Sequence, residues 1–315
     1  MIGASIILVN YNGFQDTIEC IESLWKMSTE DFRVIIVENG STDNSHQQLS
    51  QFVNIYHGSA ISSEEVDNTE YIESRLILVS SPFNGGFAYG NNIGIRLAVR
   101  LADTKYIWLL NNDTIVHEDA LAELIKAHQE KSSSGEKKPG IIGSKILFYH
   151  NRSLIQGIGG TFTPLTAKTR LIGFNKVDHG QYDYYDGNLD MILGASMFVD
   201  TDFITTVGYL NEDYFLYFEE LDWSKRALRF GYTTSCHTPS IVYHKQGAST
   251  NNRVFGKKNN SAMVYMYSSL ILFYKTFYPK YLILAKIRIL LQLIKYRLQG
   301  RISMRPLFSK IFLNQ

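Results

Sequence analysis

A chain of 315 residues, 45% hydrophobic and 19% charged, has apolar material for one large core, or for a main domain with an appendage. Its 31 basic and 30 acidic residues leave a net charge of +1, yet the last acidic residue is Asp222, and everything beyond it is neutral or basic. Two cysteines argue against a disulfide scaffold, no basic leader precedes the apolar run after Met1, and no uninterrupted apolar stretch would span a bilayer, so a cytoplasmic protein is expected.

Residues 5–10 form an apolar run closing on Asn10-Tyr11-Asn12-Gly13, a strand and its loop. Ile18, Ile21, Leu24 and Trp25 then keep a helical period within 16–27. The β-branched run 32–37 predicts a second strand, ending in Glu38-Asn39-Gly40-Ser41-Thr42-Asp43, with a helix over 45–52. Residues 56–73 are polar and acidic without a period and read as a long surface loop. A third strand over 76–79 leads into Asn84-Gly85-Gly86-Phe87-Ala88 and a helix through Asn91, Ile95 and Val99. The fourth, 106–110, stops abruptly at Asn111-Asn112-Asp113. Strand and helix in alternation imply a parallel, doubly wound α/β sheet with right-handed crossovers.

Further on, 126–139 reads as a basic helix end and loop, 141–149 as a strand, 157–190 as an antiparallel excursion and 191–199 as another strand. Residues 211–229 hold the densest aromatic and acidic cluster before helical spacing begins, and 240–244 form a short strand ending in His244.

Five features carry chemistry. Asp113 ends a buried strand, where open α/β sheets place their ligands, and offers the hard oxygen that Mg²⁺ or Mn²⁺ shares with substrate phosphates. An Asn/Asp turn whose Asp113 or Thr114 caps a helix starting near Glu118 would look the same. Glu38, before a Gly turn and small hydroxyls, can accept from a base or ribose; a tight turn into a capped helix is the plainer alternative. The Asn84–Asn92 glycines let the backbone approach a ligand at a helix N-terminus, without dinucleotide or P-loop spacing. In Phe218-Glu219-Glu220-Leu221-Asp222, carboxylates among aromatics invite a raised pKa on one of them, with Glu219 and Asp222 on one helix face and Glu220 on another. His244 could complete the coordination begun by Asp113.

In this order the motifs resemble the family 2 glycosyltransferases, and among them the bacterial rhamnosyltransferase branch, over residues 5–249. The resemblance implies an A-type nucleotide-sugar-binding fold, Mg²⁺ or Mn²⁺ as cofactor, and inversion at the sugar carbon. Carried over by position, Glu38 contacts the base where relatives usually have Asp, Asp113 holds the metal with His244, and Glu220 deprotonates the acceptor, with Glu219 and Asp222 as secondary acids. Asn111 stands first in the family's Asp-x-Asp motif, which removes one carboxylate. Donor contacts fall on Asn10, Glu38, Asn39, Asp43, Asn84, Asn91, Asn111 and Asn112. Rhamnosyl transfer from dTDP-L-rhamnose to a saccharide or lipid-linked saccharide is the implied reaction, with a UDP-hexose transferase or a non-catalytic sugar-nucleotide-binding protein as alternatives.

Residues 1–250 are therefore expected to form the catalytic domain, nucleotide-binding over about 1–115 and acceptor-binding over about 116–250. Residues 251–315 form a basic, amphipathic helical extension, with Ile283, Ile287, Leu290, Leu291 and Ile294 at helical spacing. It fits peripheral contact with the cytoplasmic face of a membrane, packing on the catalytic domain, or a homodimer. No recognised nucleic-acid motif accompanies the basic charge.

Overall fold

The computed structural model describes residues 3–135, 138–183, 185, 187, 189–245, 260–299 and 311–312. The first half alternates as expected: β1 (Ala4–Asn10), α1 (Phe14–Leu24), β2 (Phe32–Asn39), α2 (Ser45–Ile55), β3 (Ser59–Ser62), β4 (Leu76–Ser81), α3 (Phe87–Arg100) and β5 (Tyr106–Asn111). There follow β6 (Thr114–Val116), α4 (Ala120–Ser134), β7 (Lys138–Phe148), β8 (Asn151–Gly157), β9 (Gly160–Thr163), β10 (Lys168–Leu171), β11 (Lys176–Val177), β12 (Ser196–Asp200), α5 (Thr201–Val207), α6 (Glu219–Arg229) and β13 (Tyr232–His244). Two helices, α7 (Asn260–Phe277) and α8 (Leu282–Leu298), close the described chain.

The main sheet runs β11-β8-β7-β12-β5-β1-β2-β4-β3, with β13 pairing β6 and β7. Strands β3, β4, β2, β1 and β5 are mutually parallel, and β12 is antiparallel to β5 and β7. The strands are near-continuous apolar runs because both faces are covered. Alternate residues of β1, β2 and β5 divide between two cores: Ile6, Leu8, Val34, Ile36 and Trp108 face α1, α2 and α4, whereas Ile7, Ile35, Val37 and Leu109 face α3 and α5. Chain order reverses between β1 and β5, so a crevice opens at their C-terminal ends. That crevice is where Asn10 and Asn111 emerge.

Several expectations need correction. Residues 56–73 hold β3 and a 3₁₀ turn, Val66–Asn68; the strand is short and only half-buried, so it lacks an apolar signature. No helix is capped by Asp113 or Thr114: Thr114 is buried, opens β6, and pairs with His244, while α4 begins at Ala120. Helix α4 continues to Ser134, and Gly135 ends it in a left-handed conformation at φ 69°. The strand expected over 191–199 shortens to β12, because residues before Ser196 turn across the end of β5. Strand β13 is 13 residues long rather than five, its first half hidden from sequence inspection by partly exposed Thr, Ser, Cys and His. Cys20 and Cys236 are both free.

Helix α7 packs on the body through Met263, Leu270, Ile271, Phe273 and Tyr274, which share a cluster with Phe162, Met191, Tyr214 and Leu221. Tyr265 stacks on Phe215 at 4.4 Å between ring centroids, and the Ser269 hydroxyl donates to the Leu216 carbonyl at 2.9 Å. Helix α7 thus props the turn that leads into α6.

Candidate active site

The parallel register sets Asn10 beside Glu38 and Val9 beside Asn111, so three strands deliver polar groups to one edge. Behind that row is a buried network: Asn112 Nδ2 donates to Thr17 Oγ1 at 2.9 Å, and Thr17 donates to Asn10 Oδ1 at 2.9 Å. Asn112 therefore braces the strand end from within. Glu38, 2% exposed, accepts from the Ser41 backbone N–H at 3.0 Å and from Asn10 Nδ2 at 3.5 Å. Asn12 Oδ1 accepts the Thr42 N–H at 2.8 Å, which fixes the loop after β2 against the loop after β1. Gly40 is required here: its φ is +66°, and a Cβ would meet the Phe83 carbonyl carbon at 2.4 Å. Asp43 is exposed and accepts the Ser45 N–H at 2.9 Å, starting α2.

The glycine loop is held by asparagines. Asn39 Nδ2 donates to Asn84 Oδ1 at 3.1 Å and to the Gly86 carbonyl at 3.0 Å, while Gly86 N donates to Asn84 Oδ1 at 2.9 Å. Gly86 has φ +92°, and a Cβ there would lie 2.3 Å from the Phe215 carbonyl oxygen. Phe87 N donates to that oxygen at 2.9 Å, so the start of α3 and the turn before α6 are in contact. Asn91 is buried and donates to the Phe87 carbonyl of its own helix at 2.9 Å. Its neighbour Asn92 joins the two halves, bonding the Leu210 carbonyl at 2.9 Å and Glu212 Oε1 at 2.8 Å.

Asp113 and His244, 131 residues apart, meet: Asp113 Oδ1 lies 3.1 Å from His244 Nε2. Asn111 Nδ2 is 3.3 Å from the same nitrogen, and the other ring nitrogen, Nδ1, faces Gln156 Oε1 at 3.0 Å. An amide oxygen can only accept, so Nδ1 donates to it; in the neutral ring Nε2 then presents a lone pair, and in the imidazolium it donates to Asp113 Oδ1. That lone pair and the Asp113 carboxylate are both acceptors converging on one point, a donor set that a divalent cation fits. Among the described residues no group of three or more His, Cys, Asp and Glu is placed to hold a metal. A cation held there would have two protein ligands and would draw the rest of its coordination from oxygens outside the protein. Lys245 straps this corner shut: its N–H donates to the Asp113 carbonyl at 2.9 Å, and its Nζ reaches Asp16 and Glu19, each at 2.6 Å.

The third set of residues stands on a strained turn. Tyr217 and Phe218 have φ of +71° and +72°, two successive left-handed residues with side chains, immediately before α6. Such strain costs on the order of 1–2 kcal/mol per residue and persists only where packing dictates it; Phe218 is held against Phe273 and Phe162. Glu219 is 5% exposed and Glu220 partly exposed, and each has one buried carboxylate oxygen, Oε2, without a hydrogen-bond partner. Burial, reinforced by the neighbouring Glu220 charge, holds the Glu219 carboxyl well above the usual range. Burial pushes Glu220 up to about 7. Asp222 differs: it is 1% exposed and paired with Arg226 Nε at 2.6 Å. The turn before α6 that carries Glu219 and Glu220 meets the glycine loop through Phe215 and Gly86.

Gln156 and Thr17 lie outside the motifs, Gln156 on a strand whose spacing says only that it is half-buried; Asn92 and Lys245 lie inside them, but their partners are not legible there.

Residues 5–137 match the family model described as glycosyl transferase family 2. Over 225 residues the chain is 28% identical to the low-salt glycan biosynthesis hexosyltransferase Agl10 of Haloferax volcanii, covering 71% of this chain and 61% of that protein. Among solved structures, GalNAc-T7 with UDP, GalNAc and Mn²⁺ superposes with a TM-score of 0.65 at 11% identity, over 90% of this chain and 50% of that one. Mannosyltransferase PcManGT from Pyrobaculum calidifontis, in complex with GDP-Man and Mn²⁺, gives a TM-score of 0.53 at 13% identity, over 85% of this chain and 61% of that one. The present chain thus spans under two-thirds of each of these relatives. At such identities the structural likeness speaks to fold alone, and the fold is the A-type one expected, with helices at the C-terminal end.

Proposed function

We propose that this chain, with its match to glycosyl transferase family 2 over residues 5–137, is an inverting hexosyltransferase. In this reading it moves L-rhamnose from dTDP-L-rhamnose to a hydroxyl of a saccharide or lipid-linked saccharide during surface polysaccharide synthesis. Residues up to about 115 hold the nucleotide, and those of about 116–250 the acceptor. The observation that carries the reading is the meeting of Asp113 and His244 at the β1/β5 crevice, beside the Asn10–Glu38 row.

Asp113 and His244 would hold Mn²⁺ or Mg²⁺, which when bound neutralises the negative charge gathering on a departing diphosphate. Gln156 keeps the His244 lone pair turned toward that position, and Asn111 donates beside it. Glu38 and the Ser41–Asp43 loop line the base and ribose side of the crevice, and Asn39 and Asn84 shape the glycine turn against which the sugar rests. Glu220, with a pKa of about 7 and a free oxygen, takes the proton from the acceptor hydroxyl, and the oxygen so activated attacks the sugar carbon opposite the leaving diphosphate. Burial and the neighbouring Glu220 charge favour the neutral form of Glu219 beside it, which opposes a second buried charge.

A UDP-hexose is the second candidate donor, favoured by the hexosyltransferase relative and by the UDP bound in GalNAc-T7. A panel of nucleotide sugars with Mn²⁺ or Mg²⁺ decides between them. Turnover of dTDP-L-rhamnose alone supports the first reading, turnover of a UDP-hexose supports the second, and turnover of none leaves a sugar-nucleotide-binding protein.

A further inference from the structure

Helix α8 has two apolar faces, and the described fold uses one. Ala285, Ile289 and Leu293 are buried in the cluster shared with α7. On the opposite side Ile283, Ile287, Leu291, Ile294 and Leu298 are 75%, 49%, 60%, 39% and 84% exposed. Their spacing makes one continuous stripe along the helix. With 3.6 residues per turn, Lys286 and Arg297 fall along one margin of that stripe, and Arg288 and Lys295 along the other. No acidic residue follows Asp222 in the sequence to offset them. Exposed apolar residues scattered singly are ordinary; a stripe bordered by cations on both sides is not.

We propose that α8 lies on an anionic phospholipid surface through this stripe. The apolar side chains would enter the boundary between headgroups and acyl chains, while Lys286, Lys295 and Arg297 extend along the margins to lipid phosphates. Arg288 stays partly with the protein, donating to the Thr166 carbonyl. The helix is not long and apolar enough to cross a membrane, so the contact runs along the surface. A second copy of the chain is the rival occupant, and charge disfavours it. Two such stripes packed together, parallel or antiparallel, set basic margin against basic margin with no carboxylate between them. The claim is independent of donor and acceptor chemistry.

Flotation of the full chain tests it, using vesicles of phosphatidylcholine alone or with phosphatidylglycerol added. Two triple variants accompany the wild type: Ile287→Ser with Leu291→Ser and Ile294→Ser, and Lys286→Gln with Lys295→Gln and Arg297→Gln. All six residues face away from the core, and circular dichroism confirms that the fold is kept. The wild type should float with anionic vesicles and stay behind with neutral ones. The charge variant should lose about fivefold in partitioning per cation, on the order of a hundredfold in all, and the apolar variant should cease to float. Absence of flotation by the wild type, flotation indifferent to phosphatidylglycerol, or flotation of either variant equal to that of the wild type would overturn the proposal. So would a lipid-free dimer, seen by sedimentation equilibrium, that the apolar variant abolishes; that result would assign the stripe to a second copy.

Discussion

The Asp113–His244 corner and the Glu219–Glu220 corner are built on opposite plans. At the first, Asn111 and Gln156 reach the His244 ring and the Lys245 N–H binds the Asp113 carbonyl, with His244 at the end of β13 and Asp113 in the tight turn between β5 and β6. At the second, two carboxylates with unanswered oxygens follow two left-handed residues, and packing from α7 holds them in place. The contrast is what different tasks require. A cation site needs fixed geometry and loses little by full hydrogen bonding. A proton acceptor needs a raised pKa, and an oxygen left without a protein donor in a desolvated setting supplies it.

The largest effect that could break this division is on Glu220. Replacing it with Gln should lower kcat by about 10² to 10⁴ while nucleotide-sugar affinity, measured by calorimetry, stays near that of the wild type. Near-normal turnover would move the base to Glu219 or Asp222. Next is the support of His244: Gln156→Leu should weaken Mn²⁺ binding by about 10- to 100-fold, and unchanged metal affinity would show that the ring needs no such partner. A smaller effect comes with pH. The Glu220 carboxyl, pushed up to about 7, is protonated below that value and charged above it, so as a base it works on the alkaline side. The kcat profile should therefore climb about tenfold per pH unit below 7 and level off above; a flat profile from pH 5 to 8 would remove the raised carboxyl from the mechanism. The smallest effect concerns the contact between the glycine loop and the turn before α6. Gly86→Ala combines a positive φ with a Cβ 2.3 Å from the Phe215 oxygen, and should cost about 1–3 kcal/mol in a urea melt. An unchanged midpoint would mean that the two turns are not in contact.

Legibility in the sequence follows the same division. Strands β1, β2, β4 and β5 announce themselves because burial on both faces leaves their centres apolar, and polar residues resume at their C-terminal ends. Asn10, Glu38 and Asn111 could be placed at one sheet edge on that basis. Their partners could not: whether Asn91 or Asn92 bridges to Leu210 depends on helix rotation, which periodicity fixes only loosely. Strand β13 kept only its apolar end visible, since its first half alternates partly exposed hydroxyls, a thiol and an imidazole. The raised carboxyls were legible as acids among aromatics. The left-handed pair that aims them was not, because Tyr217 and Phe218 are residues that seldom adopt such angles and take them here under tertiary force.

Calorimetric titration of dTDP and UDP, with Mn²⁺ and with chelator, into the wild type, Asp113→Ala and His244→Ala, tests the central claim most directly. Nucleotide binding should depend on the metal in the wild type, and that dependence should vanish in both variants. Equal binding with chelator, or full metal dependence surviving in either variant, would contradict a cation held between Asp113 and His244.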